Sequence, residues 1–157
     1  MDNPEDDLTM TTALYCSQRN PNAQMVAYFT DETLANLLRR HCPNVECTPS
    51  VAIEMLAKSA FDPGSSVLHH DLLSVTEGQA QYSSTLPQDI KPVEVRAAFN
   101  QLKARYNATL IGIAKSDDRL NIQVNPDLDE QLFPGDKVFY IAKGRIKQIA
   151  WQRFSEE

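Results

Sequence analysis

The stretch "QMVAYF", residues 24–29, constrains the fold most. It is short and almost continuously apolar, the mark of a strand buried on both faces, as in a parallel sheet. Its surroundings support that reading. Met10, Ala13 and Leu14 recur at helical spacing before it, and "RNPNA" (19–23) is a turn, since Asn20 precedes a proline. After it, Thr30 or Asp31 can cap a helix carrying Leu34, Ala35, Leu37 and Leu38 that stops at Pro43. "VECT" (45–48) is a second short strand, and Pro49-Ser50 leads into a third helix. Helix, strand, helix, strand, helix with short links implies parallel strands joined by helical crossovers. Residues 1–7 are polar and are expected to be frayed.

Beyond residue 76 the pattern changes. "QAQYSSTLP" (79–87) reads as a strand, and Val95, Ala98, Phe99, Leu102 and Tyr106 form one helical stripe. Three strands follow: "ATLIGIAK" (108–115), "LNIQV" (120–124) and "KVFYIA" (137–142). "SDDR" (116–119) turns between the first two, and Pro134-Gly135 sets the turn before the last. "RIKQIAWQRF" (145–154) is expected to be a short amphipathic helix. The fold class is therefore α/β plus α+β: a partial doubly wound parallel sheet over 1–50, a helix-turn-helix over 51–78, and a small α+β subdomain over 79–157.

Several function classes are disfavoured. A dinucleotide fold opens on a strand and a glycine-rich turn, yet the chain has five glycines and no GxGxxG. A net charge of −6 argues against a nucleic-acid polymer as partner. No apolar run approaches the ~20 residues that span a bilayer. The acidic start (Asp2, Glu5, Asp6, Asp7) is unlike a secretory leader. Cys16, Cys42 and Cys47 have no CxxC spacing and read as free thiols. The carboxylates Asp117-Asp118 and Asp127-Asp129-Glu130 sit in turns with no nucleophile–base pair beside them, so no catalytic residue is nominated and the chain is not read as an enzyme.

"LAKSAFDPGSSVLHHDLLS" (56–74) then raises a question. Ile53, Leu56, Ala57, Ala60 and Phe61 lie on one helical arm, and Val67, Leu68, Leu72 and Leu73 on the other. Pro63 and Gly64 turn the chain between them and form the candidate hinge. So much apolar surface serves either as intrachain core or as a patch for a second copy of the chain. Part of it is expected in the core.

Together, two segments resemble the RCK domains, the regulators of potassium conductance. "ATLIGI…RLNIQVNPDLDEQLFPGDKVFYIAKGRI" is similar to the C-terminal RCK subdomain, through Gly112, Asn125-Pro126, Pro134-Gly135-Asp136 and Ile141. "ALYCSQRNPNAQMVAYFTDETLANLLRRHCPNVECTPS" looks like the second half of the RCK Rossmann subdomain. The first half, with its glycine loop, has no counterpart, so the resemblance implies that Met1 is an internal start downstream of a pore domain. It also implies that the helix pair holds a homodimer, which builds into a ring on the cytoplasmic face of the cell membrane. The function implied is that of a cytosolic gating-ring domain, coupling ligand binding to the gating of a potassium channel. The alternative is a free-standing small-molecule-sensing subunit of a cation transporter.

Two ligand sites are candidates. Some RCK domains bind calcium just beyond the helix pair; here Asp71 and Glu77 are the nearby carboxylates, while Val75 and Thr76 occupy the stretch between. Calcium takes 6–8 oxygens. His69 and His70 are adjacent on a helix, hence about 100° apart, and do not readily share one ion. In some relatives the C-terminal subdomain binds an effector such as a nucleotide; Lys115, Arg119, Asn121 and Asn125 are its nominated polar groups.

Overall fold

The computed structural model describes residues 4–74 and 78–154, apart from the side chains of Arg119, Leu120 and Arg153. Two compact units divide between Ser66 and Val67, inside the 51–78 stretch.

The first unit contains α1 (Pro4–Arg19), β1 (Met25–Phe29), α2 (Glu32–His41), β2 (Val45–Pro49) and α3 (Ala52–Phe61). The two strands pair in parallel, Met25 against Val45 through Phe29 against Pro49. Asp31 is the N-cap of α2: its backbone is extended and its carboxylate accepts the Thr33 N–H at 2.7 Å. Arg39, Arg40 and His41 sit in the last turn, where cations oppose the helix dipole. Phe29, Ala35, Leu38, Val45 and Cys47 form the core, against which Met10, Ala13 and Leu14 of α1 pack.

Two expectations need correction here. β1 is buried on one face alone: Ala27 and Phe29 are covered, whereas Val26 and Tyr28 are 71% and 59% exposed. The open face carries apolar side chains, so the alternation was invisible in the sequence. The N-terminus is also helical from Pro4, not frayed over 4–7. Asp6 is buried, and its carboxylate accepts the backbone N–H groups of Thr30 and Asp31 at 3.0 and 2.8 Å. That ties the first turn of α1 to the β1–α2 turn.

Helix α4 (Ser65–Leu73) straddles the division. The second unit continues with β3 (Ala80–Thr85), β4 (Val93–Glu94), α5 (Val95–Tyr106), β5 (Thr109–Lys115), β6 (Asp118–Val124), β7 (Gln131–Leu132) and β8 (Lys137–Ala142). An antiparallel sheet runs β3-β8-β5-β6, and β4 pairs with β7. α5 packs on β5, ending at Asn107 in the left-handed region, φ 48°. Leu86, Val93, Val95, Leu102, Ile113, Leu132, Val138 and Tyr140 are fully buried between these elements. Gly112 lets β6 approach, since a Cβ there would lie 3.1 Å from the Gln123 carbonyl oxygen.

The helix expected over 145–154 is a single 3-10 turn, Trp151–Phe154. Side chains take up the backbone donors instead. The Tyr140 hydroxyl accepts the Ile146 N–H at 3.1 Å and the Tyr106 hydroxyl accepts the Ala150 N–H at 3.0 Å. Ile149, Trp151 and Phe154 are buried in the core of this unit.

Candidate functional site

No residue of α3 or α4 is buried, which corrects the expectation that part of this surface is core. Ile53, Leu56 and Phe61 are 80%, 73% and 86% exposed, and Ala57 and Ala60 are exposed beside them. At ~100° per residue these five fill one arc of about 140°. The partly covered residues of α3, Met55 and Ser59, lie outside that arc. The helix is thus turned inside out, its apolar side to solvent. On α4, Val67, Leu68 and Leu73 are exposed and Leu72 is partly covered. Leu68, Leu72 and Leu73 fall within another arc of about 140°, with His69 between them.

The link between the helices is built locally. Lys58 pairs with Asp62 one turn on, and the Asp62 carbonyl accepts both the N–H and the hydroxyl of Ser65. Pro63 is exposed, and Gly64 has φ 96°, a conformation that side chains disfavour.

The nominated ligand residues do not converge. Lys115 and Asn121 line one groove of about 160 Å³ with Ile113, Asp117, Asp118 and Gln123. Lys115 is engaged there: its ammonium pairs with Glu130 at 2.9 Å, lies 3.7 Å from Asp136 and donates to the Gln131 carbonyl at 2.8 Å. Asn125 lines a different cleft, of about 360 Å³, between α5, β5 and the loop after β6. The Arg119 side chain lies outside the described residues. Neither lining supplies a cluster of cations, so the described residues do not fit a nucleotide phosphate.

The calcium set fares similarly. Asp71 is exposed, with the His70 ring nitrogen 3.8 Å from its carboxylate, and Glu77 lies outside the described residues. Among the described residues no three His, Cys, Asp or Glu side chains gather as a metal site. One carboxylate falls far short of a calcium shell, so the described residues do not fit that ion. The three cysteines are free thiols. Burial pushes the Cys47 thiol up, with Arg39 opposing, which makes it a poor nucleophile.

Two polar residues escaped the sequence reading of sites. Asp6 stands in an acidic start with nothing to single it out. Asp136 belonged to a recognised Pro-Gly-Asp turn, but the motif does not reveal that its carboxylate is buried. It accepts the Ser116 and Phe133 N–H groups, both at 2.9 Å, locking the β5–β6 and β7–β8 turns together.

Known proteins supply a fold. No protein-family model matches the chain, and no curated protein matches it. Among solved structures it is similar to the human SLO3 gating ring, at a TM-score of 0.65 and 11% identity over 88% of this chain and 30% of that one. A GsuK channel bound to NAD is matched at a TM-score of 0.41 and 16% identity, over 88% of this chain and 24% of that one. The chain therefore spans less than a third of the length of either protein. The first likeness defines the fold, which is the RCK fold that the sequence resemblance implies.

Proposed function

We propose that this chain is a regulatory segment of a potassium-channel gating ring, and that two copies associate through the apolar faces of α3 and α4. One observation carries the reading: α3 directs Ile53, Leu56, Ala57, Ala60 and Phe61 to solvent in a chain whose fold is that of a gating ring. An isologous contact suits such a patch, because each copy offers the same apolar arc. Covering Ile53, Leu56 and Phe61 alone supplies on the order of 5–9 kcal/mol per copy before the cost of association. By the resemblance to RCK domains, the ring would lie at the cytoplasmic face of the membrane beside a pore domain of the same protein; no described helix of this chain is long and apolar enough to cross a bilayer. Gating then requires that an effector favour one arrangement of the halves over another, with Pro63 and Gly64 as the hinge.

Light scattering of the purified chain across a concentration series tests the association. The expected species at low micromolar has twice the 17.6 kDa chain mass. Leu68→Asp places a carboxylate in the contact and should give a folded monomer. A Leu68→Asp protein that is folded and still dimeric overturns the helix-pair interface.

A further inference from the structure

The cleft beside α5 has the chemistry of a binding site that neither the fold likeness nor the helix pair explains. Val95 and Phe99, one turn apart on α5, form one wall, Leu110 of β5 the floor, and Asn125, Pro126, Asp127 and Leu128 the other wall. Its volume, about 360 Å³, falls at the lower end of the range that small-molecule sites occupy. Val95, Leu110 and Pro126 are buried, so the bottom is apolar.

The loop wall is held in place before any ligand arrives. Asn125 has φ 52° and its N–H donates to the Ile111 carbonyl at 2.9 Å. The first two amides of α5 are taken by the same loop: Val95 N–H donates to Glu130 O and Arg96 N–H to Leu128 O, both at 2.9 Å. The Glu130 N–H donates to Asp127 O at 3.2 Å, closing the turn. A wall tethered at three points and closed by its own turn costs little to order on binding.

Asp127 is the one ionisable side chain on the described lining. Arg96, next to Val95 on α5, is paired with Asp129, and Lys103, one turn beyond Phe99, donates to the Thr109 hydroxyl at 3.4 Å. Asp127 and Asn125 keep an exposed carboxylate and carboxamide on the lining, with no side-chain partner among the described residues. An acceptor pair above an apolar floor suits a ligand with the opposite arrangement: a compact apolar body ending in a protonated amine. Anions meet the Asp127 carboxylate instead.

We propose that this cleft binds a small organic cation, its apolar body against Val95, Phe99, Leu110 and Pro126 and its ammonium between Asp127 and Asn125. The test titrates the full chain with 2-phenylethylamine and, separately, with 3-phenylpropionate, a carboxylate of similar shape, following backbone amide resonances by NMR. The amine should shift residues 95–99, 110, 125, 127 and 128 saturably, and the acid should not. Asp127→Asn, at an exposed position, should weaken the amine about threefold to fivefold. Leu128→Arg, at a residue 40% exposed, should abolish amine binding and admit the acid. Equal binding of amine and acid overturns the proposal, as do amine shifts elsewhere on the chain or no shifts up to the solubility limit.

Discussion

Asp6 is a residue on which one element depends. Its carboxyl is held below the usual carboxylate range, chiefly by the Thr30 N–H, with burial opposing and the Asp31 N–H and Thr30 hydroxyl helping. A group whose folded value is depressed contributes stability that is complete above the unfolded value, ~3.9 for aspartate, and is lost as pH falls through the folded one. Asp6→Asn should therefore lower the melting temperature at pH 7, and the gap from the parent protein should close as pH drops below about 4. Thermal melts by circular dichroism across that range check it; a gap independent of pH would mean that shape, not charge, fastens α1. At Gly112 the issue is space. Gly112→Ala forces its Cβ to within 3.1 Å of backbone oxygen at Gln123, and should cost about 1–3 kcal/mol in denaturant unfolding.

Elements differ in how far their residues announce them. α5, β5 and β8 were legible because the second unit encloses them: Ala98 and Leu102 on the helix, and Val138 and Tyr140 on the strand, keep the period of their burial. The Pro134-Gly135 turn was legible too, with Gly135 at φ 89°. α3 was legible as a helix, but its orientation was not, because periodicity locates an apolar face without saying what covers it. Residues 145–150 carried a helical pattern that lost to the hydroxyls of Tyr140, on the preceding strand, and of Tyr106, 44 residues before Ala150. The candidate cleft was nearly invisible: of its lining, Asn125 alone had been nominated. Val95, Phe99 and Leu110 read simply as core, and their tertiary assembly makes the cavity. The inverted α3 yields a prediction at this scale. In the Leu68→Asp background, where the chain is monomeric, Ile53→Lys should leave the melting profile nearly unchanged, because Ile53 is 80% exposed. Leu38→Ala, at a site with no exposure, should cost about 2–5 kcal/mol.

At the scale of the whole molecule the two units are unequal. The second has a four-stranded sheet, a helix packed on it, and aromatic residues Tyr140, Trp151 and Phe154 in its core. The first rests on two parallel strands whose outer face leaves Val26 and Tyr28 in solvent. A sheet that small is marginal alone. Residues 78–157 are accordingly expected to fold as an isolated fragment with one cooperative thermal transition, and residues 1–66 to lack one. For the larger fragment, ~0.7 kcal/mol per residue near 60 °C implies a calorimetric enthalpy of about 55 kcal/mol. Leu102→Ala, at a residue with no exposure, should destabilise that fragment by about 2–5 kcal/mol. Calorimetry of both fragments and the variant reads these quantities directly. A melted 78–157 fragment would show that the second unit depends on residues before it, and α4, which straddles the division, would be the first place to look. A folded one leaves the amine cleft intact in isolation, since every residue lining it lies between Val95 and Leu128.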